Sequence, residues 1–583
     1  EYLKMPDTST LQPAAFNCEG GLVLNRSAFL MQPGEALVLQ NFEPDVEGGY
    51  RRINGFRKYV NHIVPQTNNS SEKILMSAIF ADRVVAARGE RIYSAGSTEL
   101  SLKIVSTTAM TGSGTISVKS TSGFSSSGTL QINSEIFTYT GITSGTFTGV
   151  TRATSSTTAA NHATTDTVSE SWTQRDTDRT SADKYAFERF NFDGNEKLIC
   201  VDRANAPVVF NSSMSATDVS ESAVSGSKFV AAFRNHMFYA GKSSTPQTLV
   251  FSEPFDEDAF DSGNGAGTIK VDDTIVGLKV FRDNLFIFCE NRIFKLTGSG
   301  LSSFAIEPVT RNIGCVNGGT IQEFAGDLIF LGPDGLRTVA GTARIGDVEL
   351  GTISKKIQSL FDGEIADASL FESVVLPDKT QYRLFLSKDG RVEKRTKGVI
   401  CVMKGDGFEF AETLGIKPSS TDTFVEEGDV QVIHGTFDGF VMRQEKGDTF
   451  DGAAIQGRYR SPDLNFGDVG IRKLMHRVIL NYAPEGALSA DLLLRYDNES
   501  TGAARPAPYS LSTASVGSQY GVSTYTTPAS TTQFVYGGGS QPLVRQPVEG
   551  SGFTVALRVD DNGESPPYSL KGFQLEYQLG ARR

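Results

Sequence analysis

The apolar and polar positions between Phe190 and Phe330 repeat as a unit along the chain. Each copy has an aromatic residue, a turn of Asp, Asn or Gly, a short apolar run, a second turn and usually another apolar run. The copies begin at Phe190, Phe233, Phe281 and Phe324, so they are 43, 48 and 43 residues apart. A four-stranded propeller blade occupies roughly 40–50 residues. The pattern therefore predicts an all-β chain whose body is a β-propeller.

The same unit extends in both directions along the chain. Upstream, a copy at Phe80 lies 110 residues before Phe190, and the excess coincides with a Ser/Thr/Gly-rich block of 67 residues at 104–170. Without that block the separation returns to 43. Downstream, copies at Leu376 and Phe437 follow after 52 and 61 residues. The seven copies of the unit predict six or seven blades, because closure of a propeller ring often divides one blade between the two ends of the chain. Unrelated antiparallel sandwiches with similar hairpins are the alternative.

Short alternating strands occur within the block at 104–170, which we call the insert. They cover 115–118, 129–132 and 135–139, and Gly-containing turns join them. Both flanks of the insert resume the blade pattern. It is therefore predicted to be a small β module that projects from a blade loop. A disordered linker fits less well, because linkers lack apolar alternation over the length of a strand.

The period of the pattern also divides the chain into parts. From Arg458 onward long alternating strands replace the blade period, which predicts a separate antiparallel β-sandwich-like domain. Within it, a polar run at about 505–540 is either a mobile tip or an interface loop. The predicted parts are an amino-terminal arm with the leading strands at 1–60, a first blade region at 61–103, the insert at 104–170, the remaining propeller at 171–455 and the carboxyl-terminal domain at 456–583.

Composition narrows the class of protein. The 583 residues carry a net charge of −12, from 67 acidic and 55 basic side chains, which argues against a sequence-specific reader of nucleic acid. No run approaches the ~20 apolar residues that cross a membrane. The five cysteines are scattered and lack a CxxC pair, which indicates buried small hydrophobes and folding in a reducing cytoplasm. Helical periodicity is best at 354–361, with Ser354 as the predicted N-cap.

The opening at residues 20–60 has a distinctive order of motifs. Gly20-Gly21 is followed by Asn41-Phe42 and then by Gly48-Gly49-Tyr50-Arg51-Arg52-Ile53-Asn54-Gly55-Phe56. Later stretches follow in order: Phe251-Ser252-Glu253-Pro254, then Thr274 to Leu278 with Ile293 to Gly298, then Asn312 to Cys315 with Phe330 to Arg337. This order resembles the bacteriophage tail nozzle proteins of short-tailed phages (tail tubular protein B-like), over about residues 20–100 and 185–455.

The resemblance implies a structural virion protein without enzymatic activity or cofactor. The chain is then expected to be one subunit of a homohexameric nozzle ring, assembled in the host cytoplasm and retained in the phage tail. Expected partners are further copies of the chain, the portal-adaptor and other tail proteins, tail fibres, and DNA that passes without sequence-specific binding. The insert looks like a Ser/Thr/Gly-rich module of several phage structural proteins. The alternative function is a tail-fibre or baseplate-type adhesin that binds a host surface glycan.

Residue types that carry catalysis or bind metals form no recognisable motif. The patterns G-x-S-x-G, HExxH, P-loop and EF-hand are absent, and the five histidines are isolated in the sequence. With one Trp, the chain also lacks the repeated Trp-containing turns of sialidase-like propellers. We therefore predict no catalytic, cofactor-binding or metal-binding residues.

The most distinctive polar feature is the acidic, Gly-containing stretch between Glu253 and Asp273. A lumen that carries DNA should repel the phosphate backbone, so this stretch is a candidate for facing the genome channel. The candidate residues are Asp256, Glu257, Asp258, Asp261, Asp272 and Asp273. A solvated outward loop is the plain alternative. Calcium binding is disfavoured because the carboxylate spacing matches no standard loop.

Overall fold

The computed structural model describes residues 11–66, 72–104, 114–177, 179–180, 184–339, 352–405, 407–426, 428–486, 489–512, 543–561, 563 and 565–582. Within them the chain is almost entirely β-strand with short 3-10 helices. Seven antiparallel sheets follow one another in a closed ring, so the predicted β-propeller is confirmed and has seven blades. Most of the polar run predicted at about 505–540 lies outside the described residues.

Blades 1 to 6 are built from strands that pair antiparallel in chain order, beginning with the inner strand, and blade 7 takes its fourth strand from the amino-terminal part of the chain. Blade 1 comprises Met76–Phe80, Arg83–Arg88, Arg91–Glu99 and Thr173–Asp176. Blade 2 comprises Ala186–Phe190, Lys197–Val201, Val208–Asn211 and Ala216–Asp218. Blade 3 comprises Phe229–Phe233, His236–Ala240, Thr248–Phe251 and Gly267–Lys270. Blade 4 comprises Ile275–Phe281, Asn284–Cys289, Ile293–Thr297 and Ala305–Thr310.

The remaining blades differ at their outer edges. Blade 5 has the described strands Gln322–Phe324, Asp327–Gly332 and Gly335–Thr338. Blade 6 comprises Glu372–Leu376, Gln381–Phe385, Lys397–Lys404 and Gly407–Leu414. Blade 7 comprises Ser420–Glu426, Asp429–Gly435, Val441–Gln444 and Phe56–Lys58, with Thr449–Phe450 and Ala453–Ala454 beyond them.

The second strand of a blade is apolar because it is covered on both faces. In blade 4 it contains Leu285-Phe286-Ile287-Phe288-Cys289, and all five side chains are buried. A strand between two packed layers needs apolar residues on both faces, which gives a continuous apolar run instead of an alternating one. Apolar clusters fill the space between each pair of neighbouring blades, including blades 7 and 1, and these clusters close the ring.

Polar contacts also join the inner strands where the ring closes. The hydroxyls of Ser77 in blade 1 and Ser420 in blade 7 are 2.9 Å apart. The backbone N–H of Ile79 donates to Oδ2 of Asp422 at 2.9 Å. Arg189 of blade 2 donates to the carbonyl of Ile79 at 2.8 Å and forms an ion pair with Asp422. One carboxylate in blade 7 therefore holds three consecutive blades together.

Six of the seven sequence marks occupy the same structural position. The residues that end an inner strand are Phe80, Phe190, Phe233, Phe281, Phe324 and Leu376. Phe437 is different, because it lies between the second and third strands of blade 7, whose inner strand ends at Glu426. The outer strand Phe56–Lys58 pairs with Val441–Gln444, so blade 7 is divided between distant parts of the chain, as the sequence predicts.

The insert joins the third and fourth strands of blade 1, and the predicted β module is confirmed. Its apolar core, separate from the propeller clusters, includes Phe137 and Phe147. The module begins before residue 104, because Leu100 pairs with Val118. Its last strand also pairs with the end of the third blade strand. The strands are Gly114–Ser117, Gly128–Ile132, Glu135–Tyr139, Gly141–Thr143, Thr146–Val150 and Thr167–Glu170.

The predicted carboxyl-terminal sandwich is confirmed, and within the described part of the predicted amino-terminal arm the strands between Gln12 and Arg52 belong to that sandwich. Tyr459 of one sheet packs 5.5 Å from Tyr50 and 5.8 Å from Phe573 of the other, measured between ring centroids. One sheet comprises Gln12–Asn17, Phe42–Pro44, Tyr50–Arg52, Ile471–Pro484, Leu543–Pro547, Ser551–Gly552 and Tyr568–Arg582. The other contains Val38–Gln40, Gly457–Arg460, Ser489–Tyr496, Tyr509–Ser512 and Val555–Asp561. The amino-terminal strands cover edges that the carboxyl-terminal strands would otherwise expose.

A continuous sheet links this terminal sandwich to the propeller. The outer strand of blade 6, Gly407–Leu414, meets Val38–Gln40 in parallel at the pair Glu412 and Gln40. Val38–Gln40 pairs on its other side with Gly457–Arg460 of the sandwich. The two bodies also share one apolar cluster. They are therefore joined through the backbone ladder and through the core.

Charged side chains reinforce the same junction. Arg383, whose side chain is 1 % exposed, lies 3.0 Å from Glu43 and 2.7 Å from Glu445. Lys379 lies 2.8 Å from Glu43 and also pairs with Glu445. Arg51 lies 3.1 Å from Glu43 and forms a bidentate pair with Glu485 of the sandwich. We call Glu43, Arg51, Lys379, Arg383 and Glu445 the charged joint.

The cations of the charged joint keep its carboxylates ionised. Burial acts to raise the pKa of Glu445, but the charges of Arg383 and Lys379 hold that pKa well below its ordinary value. Burial likewise acts to raise the pKa of Glu43, and Lys379, Arg383 and Arg51 together lower it. The junction therefore contains ionised carboxylates that are stable only while their cationic partners stay in place.

The predicted helix at 354–361 is a 3-10 helix, Ile353–Leu360, and its predicted cap is wrong. Ser354 is buried inside the helix with φ −84° and ψ 15°, and its hydroxyl accepts from the N–H of Leu336 at 3.0 Å. A contact with blade 5 therefore takes the hydroxyl that a local cap would use. Further 3-10 helices are Ala28–Leu30, Ser262–Asn264, Gly318–Thr320, Ile365–Leu370, Pro377–Lys379, Glu393–Arg395 and Asp497–Glu499. All five cysteines are buried and free, as the sequence predicts.

The insert should be removable without loss of the propeller. Glu99 pairs with Thr167 across antiparallel strands, so an Asn-Gly turn can replace residues 100–166. This design keeps Glu170, which lies 2.5 Å from Arg83. We expect one cooperative thermal transition within about 5 °C of the parent protein. Deletion of 104–170, which removes Glu170, is the matched comparison and should be less stable. Insoluble product from several turn sequences would show that blade 1 needs the insert.

The charged joint should contribute measurably to the stability of the whole chain. Glu445→Gln leaves Arg383 buried with one anion fewer, and we expect a loss of about 3 kcal/mol in the free energy of unfolding at pH 7. Because folding lowers the pKa of Glu445, its contribution is present above the ordinary value of 4.5 and is lost as the pH falls below it. The difference between parent and variant should therefore narrow at pH 3.

Chemical denaturation at the two pH values measures this difference. Glu307→Gln is the matched control, because Glu307 is 52 % exposed and pairs with Lys295 on the surface. It should cost less than about 0.5 kcal/mol. Equal losses for the two variants would contradict the role assigned to the joint.

Candidate functional site

The acidic loop, residues 253–261, connects the third and fourth strands of blade 3. These strands are Thr248–Phe251 and Gly267–Lys270. Because the strands of a blade are ordered from the inner to the outer edge, the loop lies on the outer half of the blade. It lies on the face where the first and second strands turn at Asn235. The acidic loop is therefore on the periphery of the propeller, away from the axis of the blades.

Backbone hydrogen bonds shape the acidic loop. The N–H of Phe255 donates to the carbonyl of Asn235 at 2.7 Å, and the N–H of Glu253 donates to the carbonyl of Ala259 at 2.8 Å. Phe255 has φ 65°, a left-handed conformation that is uncommon for a bulky residue. Its side chain is 60 % exposed. The loop therefore holds an aromatic ring in solvent with a fixed backbone.

Glu257, one of the predicted channel residues, is buried and anchors the acidic loop. Its carboxylate lies 2.8 Å from Nζ of Lys197 on blade 2, and its carbonyl accepts from the hydroxyl of Tyr239 at 2.9 Å. Partial burial acts to lower the pKa of Lys197, but the hydrogen bond and charge of Glu257 raise it overall. The charge of Glu257 is thus paired within the subunit, and its assignment to the channel stays a prediction.

Three further candidates lie on the acidic loop and are exposed. Asp256 accepts from the N–H of Asp258 at 3.0 Å, and Asp258 accepts from the N–H of Ser220 at 3.0 Å. Asp261 caps the helix Ser262–Asn264. In the part of the chain that the structure describes, no Lys or Arg side chain forms an ion pair with these three carboxylates. Their charges are therefore available to solvent or to a partner.

Asp272 and Asp273 lie at the opposite end of the outer strand Gly267–Lys270. Asp272 pairs with Arg292, and Asp273 accepts from the N–H of Asn291 at 2.8 Å. The six predicted carboxylates therefore belong to two places and do not form one site. Which of them faces a genome channel depends on how subunits are arranged, so that assignment stays a prediction.

A buried ion cluster in the insert was missed by sequence reasoning. Glu135 lies 2.7 Å from Arg152 and 2.8 Å from Nε2 of His162. Burial acts to raise the pKa of Glu135, but hydrogen bonds from Arg152, the N–H of Ala160 and His162 lower it to about 2. His162 is isolated in the sequence, and only the fold brings it to its partners. The cluster joins the strands and turns of the insert.

The charged joint was also missed, although the nozzle-like opening contains Glu43 and Arg51. A signal was present, because Arg51-Arg52 stands between apolar Tyr50 and Ile53, and buried arginines require anionic partners. The side chain of Arg52 is fully buried, with Nε 3.4 Å from a carboxylate oxygen of Asp561. Paired arginines flanked by Tyr50 and Ile53 were thus the one sequence signal for a buried ion cluster.

Among the residues described here, no group of three or more His, Cys, Asp or Glu side chains is arranged to hold a metal ion. The helices in the described ranges include none with the length and apolar character needed to cross a membrane.

Lys197→Met should loosen the acidic loop while the propeller stays folded. The buried carboxylate of Glu257 loses its cation, at a local cost of about 1–3 kcal/mol. We expect faster cleavage within residues 253–258 by an acid-specific endoproteinase and little change in the main thermal transition. Lys295→Met, which removes an exposed pair with Glu307, is the matched control. Unchanged cleavage of the Lys197 variant would rule out the anchoring role.

Comparisons with known proteins identify no family for this chain. No protein-family model and no curated protein matches it. A solved extracellular domain of a putative one-component system from B. thetaiotaomicron is 8 % identical, with TM-score 0.35, over 67 % of this chain and 39 % of that one. Chaetomium thermophilum Raptor is 8 % identical, with TM-score 0.33, over 67 % and 29 %. A quinonprotein alcohol dehydrogenase-like protein from Bacteroides thetaiotaomicron is 6 % identical, with TM-score 0.30, over 68 % and 79 %. These similarities carry no argument about function.

Proposed function

We propose that this chain is a structural virion protein, one subunit of the ring that forms the tail nozzle of a short-tailed bacteriophage and conducts the genome outward. One observation carries the proposal: the residues of the nozzle-like opening build the junction between the propeller and the terminal sandwich. The run from Gly48 to Phe56 supplies Arg51 to the charged joint and Tyr50 to the sandwich core. The residues that carry the resemblance therefore hold the propeller and the terminal sandwich together.

The glycines that begin the nozzle-like opening serve the same junction. Gly21 has φ 71°, and a Cβ at this position would lie 2.8 Å from the backbone nitrogen of Phe410 on blade 6. The N–H of Gly21 donates to the hydroxyl of Tyr50 at 3.1 Å, and that hydroxyl donates to the carbonyl of Gly34 at 2.7 Å. Only glycine permits this close approach with this backbone conformation. The Gly20-Gly21 motif thus allows the amino-terminal segment to pack directly against the backbone of blade 6.

A rigid two-part subunit suits a conduit. Domains within one chain usually move relative to each other unless their interface is large and apolar. Here the propeller and sandwich share a backbone ladder, an apolar cluster and the charged joint. A ring of such subunits would keep the diameter of its central channel constant while DNA passes through it. The net charge of −12 is compatible with that passage, because an acidic lumen does not hold phosphates.

The binding partners and the location that we propose for the ring are those that the resemblance implies. The partners would be further copies of the chain in a homohexamer, the portal-adaptor and other tail proteins, and tail fibres. DNA would be a transient passenger without sequence-specific contacts. Assembly would take place in the host cytoplasm, and the mature location would be the virion tail.

The insert favours a second candidate, a tail-fibre or baseplate-type adhesin that binds a host glycan. It projects between the outer strands of blade 1 and exposes the polar run from Ser125 to Gly128. Loops displayed on a rigid scaffold commonly carry recognition. In this candidate the propeller would present the insert to the cell surface, and no conduit would be formed.

Assembly state separates the two candidates. We expect native mass measurements of the purified full chain to show six times the subunit mass of 62.8 kDa. The measurements should extend to about 100 μM, because weak rings assemble only at high concentration by mass action. Image averages should show a six-fold ring with an open centre. The insert-deleted protein is the control, because a nozzle subunit should form the same ring without the insert. A stable trimer, or a monomer throughout the concentration range, would contradict the nozzle proposal, and glycan binding lost with the insert would favour the adhesin.

A further inference from the structure

A groove crosses the open face of the sandwich sheet that contains the strand Ile471–Pro484. Its volume is about 500 Å³. Ala15, Ile479 and Leu543 provide apolar surface along it, and Leu543 is 55 % exposed. The face is therefore an apolar surface open to solvent, and such surfaces rimmed by polar groups commonly bind a partner.

The groove also carries positive charge. Arg477 and Arg545 line it with one carboxylate, Glu576, which lies 3.3 Å from Arg477. Arg545 forms no ion pair with any residue that the structure describes. Two guanidinium groups against one carboxylate make this a basic site on a chain whose net charge is −12. An occupant with an apolar group beside carboxylates would match both properties.

The acidic loop of blade 3 has those properties. Phe255 is 60 % exposed at its turn, and Asp256 and Asp258 follow it as exposed carboxylates without an ion-pair partner among the described residues. The backbone of Phe255 is held by its hydrogen bond to Asn235. A loop that is already ordered loses little conformational entropy when it binds. The loop and the groove belong to different bodies of the subunit, the propeller and the sandwich.

We propose that the groove receives the acidic loop of a second copy of this chain, with Phe255 against Ile479 and Leu543 and with Asp256 and Asp258 near Arg477 and Arg545. This inference rests on the proposed ring and names the contact that forms it. The contact is heterologous, because each subunit offers a loop to one neighbour and a groove to the other. Contacts of this kind close into a ring when the rotation between subunits divides a full turn.

The first test compares variants on the two sides of the contact. Asp256→Lys/Asp258→Lys and, separately, Arg545→Glu should each raise the concentration for half-assembly of the full chain at least about tenfold, because each places like charges across the contact. Phe255→Ala should have an effect of similar size through loss of its apolar contact. Asp272→Lys/Glu290→Lys is the matched control, because it makes the same charge change on the opposite face of the propeller, where Asp272 precedes the first strand of blade 4 and Glu290 follows its second strand. This control should assemble like the parent protein.

A mixing experiment tests the direction of the contact. An equal mixture of the loop variant and Arg477→Glu/Arg545→Glu should form a ring of alternating subunits although neither variant forms one alone, because the native loop meets the native groove and the Lys-bearing loop meets the Glu-bearing groove. Combining Asp256→Lys/Asp258→Lys with Arg477→Glu/Arg545→Glu in one chain should restore the ring. Circular dichroism and the thermal transition of each variant check that the subunit is folded.

The outcomes also separate this inference from the proposed ring. If the parent protein forms no ring, the proposed function fails and the contact fails with it. If the parent and all folded variants form the same ring, only the contact is overturned. A loop variant that forms rings normally but slows DNA ejection from assembled particles would assign the acidic loop to the channel and would also overturn the contact.

Discussion

The burial of charge at the charged joint is the constraint on which the relation between propeller and sandwich depends. Removal of an ion from water costs several kcal/mol even after relaxation, so each buried ion needs its partners in good geometry. The side chains of Arg383 and Glu43 are only 1 % and 3 % exposed. Their partners come from blade 6, from Glu445 directly after the third strand of blade 7 and from the amino-terminal strands. None of these segments can move away without leaving a buried charge unpaired.

Closure of the propeller imposes a second constraint on the same region. The outer strand of blade 7, Phe56–Lys58, comes directly after the strand Tyr50–Arg52 of the sandwich. The strand that closes the ring and the strand that builds the junction are therefore neighbours in sequence. Inner-strand contacts centred on Asp422 then link blades 7, 1 and 2. Because distant parts of the chain must meet before the ring closes, folding of the propeller and docking of the sandwich are coupled.

The acidic loop and the groove lie on the propeller and the sandwich, the two bodies that the junction holds together. The acidic loop is held to blade 2 by Glu257 and Lys197 and displays Phe255 in a fixed conformation. The groove lies on the opposite body, on a sheet face whose other side packs in the core. Under the proposed ring, this rigidity would give every contact between subunits the same geometry. Sites on firmly supported elements also lose less entropy on association than sites on free loops.

The sequence by itself determined the features that depend on local pattern. Short apolar runs such as Leu285 to Phe288 predicted strands, and the spacing of the repeated units predicted the blades. The sequence also located the insert, because a Ser/Thr/Gly-rich block interrupts the regular spacing of the blade units. These inferences succeed because strand periodicity and turn chemistry act between near neighbours in the chain.

Tertiary structure alone decided which distant residues became partners. Nothing in the pattern near Phe437 shows that it lies one hairpin beyond the equivalent position in other blades. Ser354 caps no helix because a strand of blade 5 takes its hydroxyl, and Glu257 is buried where its carboxylate meets Lys197 of blade 2. The strands between Gln12 and Arg52 complete the sandwich because free strand edges require partners, and the nearest available ones come from the other end of the chain. Such pairings follow from packing in three dimensions, which a one-dimensional pattern of apolar and polar residues does not encode.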